Sequence, residues 1–137
     1  MTPRKLVVIE SPLAGNRPLH KLYAKACLLD CLVRGEAPYA SHLLFDQDDL
    51  LDDTVPQQRE AGLVSGLAWG AVAELRAFYL DFGESPGMER GRRSATQICE
   101  SRWLFSPGFK LRPVAEQMGL LQSTRRELLS ELCREKS

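Results

Sequence analysis

Apolar and polar positions along the chain alternate between two regimes. Short, nearly continuous apolar runs are separated by longer stretches in which apolar residues recur every three or four positions. The first pattern is that of strands buried on both faces of a parallel sheet, the second that of amphipathic helices. Lys5 to Ile9 (KLVVI) reads as the first strand. From Pro18 to Arg34 the residues Leu19, Leu22, Tyr23, Ala26, Leu29 and Val33 share one helical face, and Gly35 supplies the stop. Ser41 to Phe45 (SHLLF), following Pro38, is the expected second strand. Pro56 to Val72 is a helix whose small residues allow close approach to a sheet or a partner helix, with Trp69 assigned to the core. Leu75 to Leu80 is the third strand.

Beyond it, Pro86 or Gly87 to about Cys99 is read as a helix, and Glu100 to Pro107 shows no pattern. Gly108 to Arg112 is read as a last, partly exposed strand closed by Pro113. Val114 to Leu121 and Arg125 to Arg134 read as two helices, the second with Thr124 and Glu127 in capping-box spacing. The stripe Leu128, Leu129 and Leu132 must pack either on the chain itself or on a homodimer partner. Strands and helices in alternation predict an α/β fold: a flavodoxin-like or Rossmann-like three-layer sandwich with a sheet of four or five mostly parallel strands. The expected domain covers residues 1–114, with 115–137 as its C-terminal helical extension.

Composition narrows the function classes. Lys plus Arg and Asp plus Glu each total 18, so the formal net charge is zero and no basic footprint for nucleic acid exists. No run of 18 apolar residues indicates a membrane span, and no charged start followed by an apolar segment indicates secretion. The four cysteines, at 27, 31, 99 and 133, lack C-x-x-C spacing. Cys27 and Cys31 lie four apart on the first helix and are read as core, so neither a metal site nor a cofactor is expected.

Candidate chemistry lies in the loops that follow strands, where open α/β sheets hold their ligands. Glu10 to Asn16 (ESPLAGN) is the first such loop. The acidic stretch DQDDLLDD, residues 46–53, lacks the glycine and terminal glutamate of an EF-hand. It is read as a solvated loop lending one or two carboxylates to ligand hydroxyls. The third, within AFYLDFGESPGMERG (77–91), is the richest. Asp81 stands at the strand end, Ser85 among small residues, Gly87 before the turn into helix, and Glu89 in the first helical turn. Gly83 to Gly87 matches the G-x-S-x-G nucleophile elbow, which needs a later histidine, whereas His20 and His42 both precede Ser85. The carboxylates offer more. Glu89, near the positive end of a helix dipole, is a candidate nucleophile toward a sugar carbon, with Asp81 in proton transfer. The same helix start offers N–H groups for a phosphate, and Glu89 also suits a helix N-terminus for purely structural reasons.

Several stretches together resemble the nucleoside 2-deoxyribosyltransferase-like proteins, especially a small phage-associated branch. They are I-E-S-P-L-A-G (9–15), S-H-L-L-F-D-Q (41–47), L-D-D-T-V-P (51–56), R-E-A-G-L-V-S-G-L-A-W (59–69), D-F-G-E-S-P-G-M (81–88) and G-F-K-L-R-P-V (108–114). The resemblance implies a flavodoxin-like sheet, often in homo-oligomers, that binds a nucleoside or nucleotide across its strand ends. It implies cleavage or transfer of the N-glycosidic bond, with a Glu attacking the sugar anomeric carbon; Glu89 followed by Gly91 is similar to the family's E-x-G. By the same likeness Ser11 and Pro12 line the pocket, Gln47 and Asp53 approach base or sugar, and Ser85 faces sugar or phosphate. His42, Gly87 and Met88, within the matched stretches, complete the expected substrate-binding set. Leu13 replaces an aromatic residue usual in the family, and Ser85 stands one residue further from the Glu. The alternative the resemblance leaves is a non-catalytic nucleotide-binding protein, a phage-encoded sensor or sponge for a signalling nucleotide. Either way the expected location is the cytoplasm of a phage-infected or prophage-carrying bacterium.

Overall fold

Four short strands, β1 (Leu6–Glu10), β2 (Ala37–Tyr39), β3 (Leu75–Tyr79) and β4 (Ile98–Arg102), form one parallel sheet in the order β2-β1-β3-β4. In this computed structural model, which describes residues 3–134, the helices are α1 (Arg17–Val33), α2 (Ser41–Phe45), α3 (Pro56–Val72), α4 (Pro86–Ser94) and α5 (Val114–Leu132). A 3-10 turn at Phe109–Leu111 precedes α5. The strand order reverses between β1 and β3, making the carboxyl ends of these two strands the topological switch point of a doubly wound, Rossmann-like sheet.

Side chains alternate across the strands and so divide the core in two. Val7, Ile9, Leu75, Ala77 and Tyr79 face α1 and α5, where they meet Tyr23, Ala26, Cys27, Cys31 and Leu121. Each fully buried aliphatic side chain there contributes roughly 1.5–3 kcal/mol. Val8, Arg76 and Phe78 are buried on the opposite face, where the Arg92 guanidinium of α4 lies 4.0 Å over the Phe78 ring. The result is three layers: α1 and α5, the sheet, then α3 and α4.

Five expectations are corrected. Ser41–Phe45 is the short helix α2, and the second strand is Ala37–Tyr39. The strand contains Pro38 because β2 is an edge strand: Ala37 donates its N–H to Lys5 O on the β1 side at 2.8 Å, so the next residue faces outward, where no N–H is needed. The helix predicted to reach Cys99 stops at Ser94, and β4 follows. Four of β4's five residues are not fully buried; its anchor is Arg102, 3% exposed at the side chain and paired with Glu36 at 2.7 Å. The strand expected at Gly108–Arg112 is a turn, with Gly108 at φ 94° and only Phe109 buried. The two C-terminal helices are one, α5, which places Thr124 and Glu127 mid-helix and packs Leu121 against α1. Trp69, assigned to the core, is 59% exposed and tilts over Tyr39 at 5.8 Å between ring centroids. Among the described residues no helix is long and apolar enough to cross a membrane.

Asp81, at the exit from β3, ties three segments together. Its carboxylate accepts from Tyr23 Oη of α1 at 2.6 Å and from the backbone N–H groups of Leu104 and Phe105, both at 2.9 Å. Tyr23 Oη in turn accepts from the Asp81 N–H at 3.0 Å. Burial pushes the Tyr23 hydroxyl far above its usual range, so it stays a donor. Asp81→Ala would leave one buried and two partly buried donors without an acceptor, and the expected loss is about 3 kcal/mol in urea denaturation. A loss under about 1 kcal/mol would show that the anchor is dispensable.

Candidate functional site

A cleft of about 250 Å³ opens at the switch point. Its walls come from the loop after β1, from α2 and the acidic loop, from the first turns of α3, and from the start of α4. Leu13, Phe45, Leu51 and Leu63 make an apolar wall, and Glu10, Ser11, His42, Asp46, Asp53, Gln58, Arg59 and Ser85 supply polar groups.

Six of the sequence-predicted residues meet in this cleft: Ser11, His42, Asp53, Ser85, Gly87 and Met88. Ser11 Oγ and His42 Nε2 are 2.9 Å apart. Asp53 lies 3.2 Å from Arg17, which also pairs with Asp46; Lys21 donates to the Asp46 carbonyl at 2.8 Å. The acidic loop is thus fastened to the start of α1 and still turns Asp46 and Asp53 toward the cleft. Ser85 is the N-cap of α4, accepting from Met88 N–H at 3.3 Å, which leaves its hydroxyl proton free for a ligand. Its backbone is extended, at φ −84° and ψ 166°, and the histidine of the cleft pairs with Ser11 instead.

The other four are placed elsewhere. Pro12 is buried beside the cleft without lining it, and Gln47 is exposed, donating to Leu44 O at 2.7 Å. Asp81 is consumed by the anchor described above, and Glu89 is exposed on α4 and does not line the cleft. Neither proposed catalytic residue lines the cleft.

Besides Asp46 and Asp53, which are paired with Arg17, a third carboxylate reaches it: Glu10, the last residue of β1. Glu10 pairs with Arg76, a residue of β3 that is 2% exposed. Gly91 of α4 gives the carboxylate its room: an added Cβ there would come within 2.8 Å of Glu10 Cδ. Sequence reasoning passed over Glu10 because its counter-charge is 66 residues away. The available signal was Arg76 itself, a lone charge inside the apolar run L-R-A-F-Y of a central strand. An arginine in that position requires a carboxylate nearby.

A family described as a domain of unknown function (DUF7768) matches residues 5–103, which include every residue of the cleft. The chain belongs to the DUF7768 family. No curated protein and no solved structure matches it. All four strands lie within the DUF7768 match, whereas α5 lies outside it. Among the described residues of this DUF7768 member, no group of three or more His, Cys, Asp and Glu side chains is disposed to hold a metal ion.

Two groups of the cleft titrate in opposite senses. Burial pushes the Glu10 carboxyl up to about 7, against the pull of the Arg76 guanidinium. Burial pushes His42 down to about 4, although Asp53 and Asp46 pull it the other way, so its imidazole is neutral near neutral pH. The folded state holds the Glu10 proton more tightly than the unfolded chain does. Its contribution to stability is therefore full below about 4.5 and lost as pH rises through about 7. For His42 the contribution is full above about 6.5 and lost as pH falls through about 4. The two slopes oppose each other between these limits. Thermal melts across a pH series should show Glu10→Gln gaining stability with rising pH more steeply than wild type, and His42→Asn less steeply. Parallel curves for all three proteins would refute the assignment.

Proposed function

We propose that this DUF7768 domain binds a nucleoside or nucleotide in the switch-point cleft and cleaves or transfers its N-glycosidic bond, with Glu10 as the reacting carboxylate. The observation that carries the reading is a largely buried carboxyl, paired on one side with Arg76, that lines a cleft large enough for a nucleoside. Burial raises its proton affinity against the pull of Arg76, which suits it to proton transfer or to attack at an electrophilic sugar carbon. The apolar wall suits a base, and the Ser11–His42 pair beside Glu10 suits sugar hydroxyls. Glu89, which the resemblance favours, does not line this cleft.

One observation favours binding without chemistry. The Arg76 guanidinium on Glu10 stabilises the anion and weakens it as a nucleophile. Under that second reading the cleft retains a nucleotide unchanged.

Chromatographic assay of base release from a panel of nucleosides and nucleotides separates the two. Turnover by wild type, reduced by about 100-fold or more in Glu10→Gln and retained in Glu89→Gln, is expected of the enzyme. Calorimetric heat with no base release would leave the binder, and neither heat nor release would dismiss both.

A further inference from the structure

Next to the cleft lies a second chamber of about 30 Å³ that shares Glu10, Ser41, Leu63 and Gly87 with it. Arg76 lines this chamber, and its Nε–H has no hydrogen-bond partner among the described residues, although the side chain is 2% exposed. A permanently charged guanidinium with an orphaned N–H is a strong demand for an acceptor. The other polar side chains that line it are the Glu10 carboxylate, the Ser41 hydroxyl and Arg90, whose guanidinium is paired with Glu60 at 2.9 Å. A buried water needs a space of about 10–15 Å³ and two to four polar partners. The chamber meets both conditions.

We propose that the chamber holds a single water, donated to by Arg76 Nε–H and donating to Glu10 and Ser41, and that this water is the nucleophile: the domain is a hydrolase of its N-glycoside, not a transferase. The inference rests on the N-glycosidic reading above. In the step, Glu10 takes one proton from the water as its oxygen bonds to the anomeric carbon. The carbon–nitrogen bond breaks with its electron pair going to the base, which takes a proton from solvent in the open cleft. Glu10 then returns its proton to solvent, so the net change is addition of water across the bond. A single displacement inverts the anomeric configuration, and a water fixed by Arg76 and Glu10 holds the position that a second nucleobase or an alcohol would have to take. Ser41 acts as a positioning residue for the water.

The test uses the full chain. A crystal structure at a resolution that resolves waters should show one within hydrogen-bond distance of Arg76 Nε and the Glu10 carboxylate; a collapsed or dry chamber overturns the proposal. With a nucleoside that wild type turns over, reaction in water–methanol mixtures followed by NMR should give only free sugar, first formed as the inverted anomer. A methyl glycoside, an exchanged base or a retained anomer overturns the hydrolytic role while leaving the N-glycosidic reading intact. If no nucleoside is turned over, that reading fails and the hydrolytic role falls with it. Ser41→Ala should lower kcat by about five- to tenfold, the equivalent of one hydrogen bond, with KM unchanged; an effect confined to KM would place Ser41 in ligand binding instead.

Discussion

A guanidinium does not give up its proton inside a protein, so the burial of Arg76 on the central strand β3 imposes conditions on everything around it. The first condition is a counter-charge, met by Glu10 at the end of the neighbouring strand. The second is space. A Cβ at Gly70 of α3 would come within 3.0 Å of Arg76 Cζ, and one at Gly91 of α4 would meet Glu10. Two glycines in two different helices, at positions where alanine would favour the helix more by roughly 1 kcal/mol, thus frame one ion pair. The closeness of α3 and α4 to the sheet and the position of the cleft carboxylate follow from the same contact. A buried pair of this kind is weak support for stability in itself, because desolvation offsets much of the attraction. Its consequence is positional: it holds a carboxylate at the rim of the switch point.

How much of this was legible in the sequence depended on whether burial was two-sided. β1 and β3 are central, and their apolar runs revealed them; α1 and α3 were visible from spacing and from the prolines at their starts. The edges were not. β2 is three residues long and contains a proline, and β4 reads I-C-E-S-R, a strand whose one deeply buried residue is an arginine neutralised by Glu36 from across the fold. No periodicity survives in such segments, because an edge strand buries little and its register is set by its neighbour. Ser41–Phe45 was misread for the converse reason: five residues with a short apolar run fit either structure, and the helical choice is made by where the loop must go after β2. Trp69 faces outward on a helix that between Ala61 and Val72 has no charged residue to mark its exposed side.

The site divides along similar lines. Ser11 after β1 and Ser85 and Gly87 after β3 line the cleft while Pro12 and Asp81 do not, since the rule that clefts open at carboxyl strand ends is a property of topology and does not say which side chain turns inward. The roles of the carboxylates did need it. Whether an acidic side chain is spent on structure or left for chemistry is decided by partners that lie far along the chain, Tyr23 and Leu104 for Asp81, Arg76 for Glu10.

Asp81 and Glu10 show what that difference means. Both leave the carboxyl ends of adjacent parallel strands, and both are largely buried. Asp81 receives two backbone N–H groups and a tyrosine hydroxyl, an arrangement that satisfies the anion from three directions and closes it off from any ligand. Glu10 receives a single guanidinium from below and borders the cleft, and there desolvation outweighs the guanidinium's attraction. A carboxylate surrounded by neutral donors is a fastening. One that is held on one side and desolvated on the other remains chemically open, and in this fold the second condition occurs at the end of β1, not at the start of α4, where helix polarity alone had pointed.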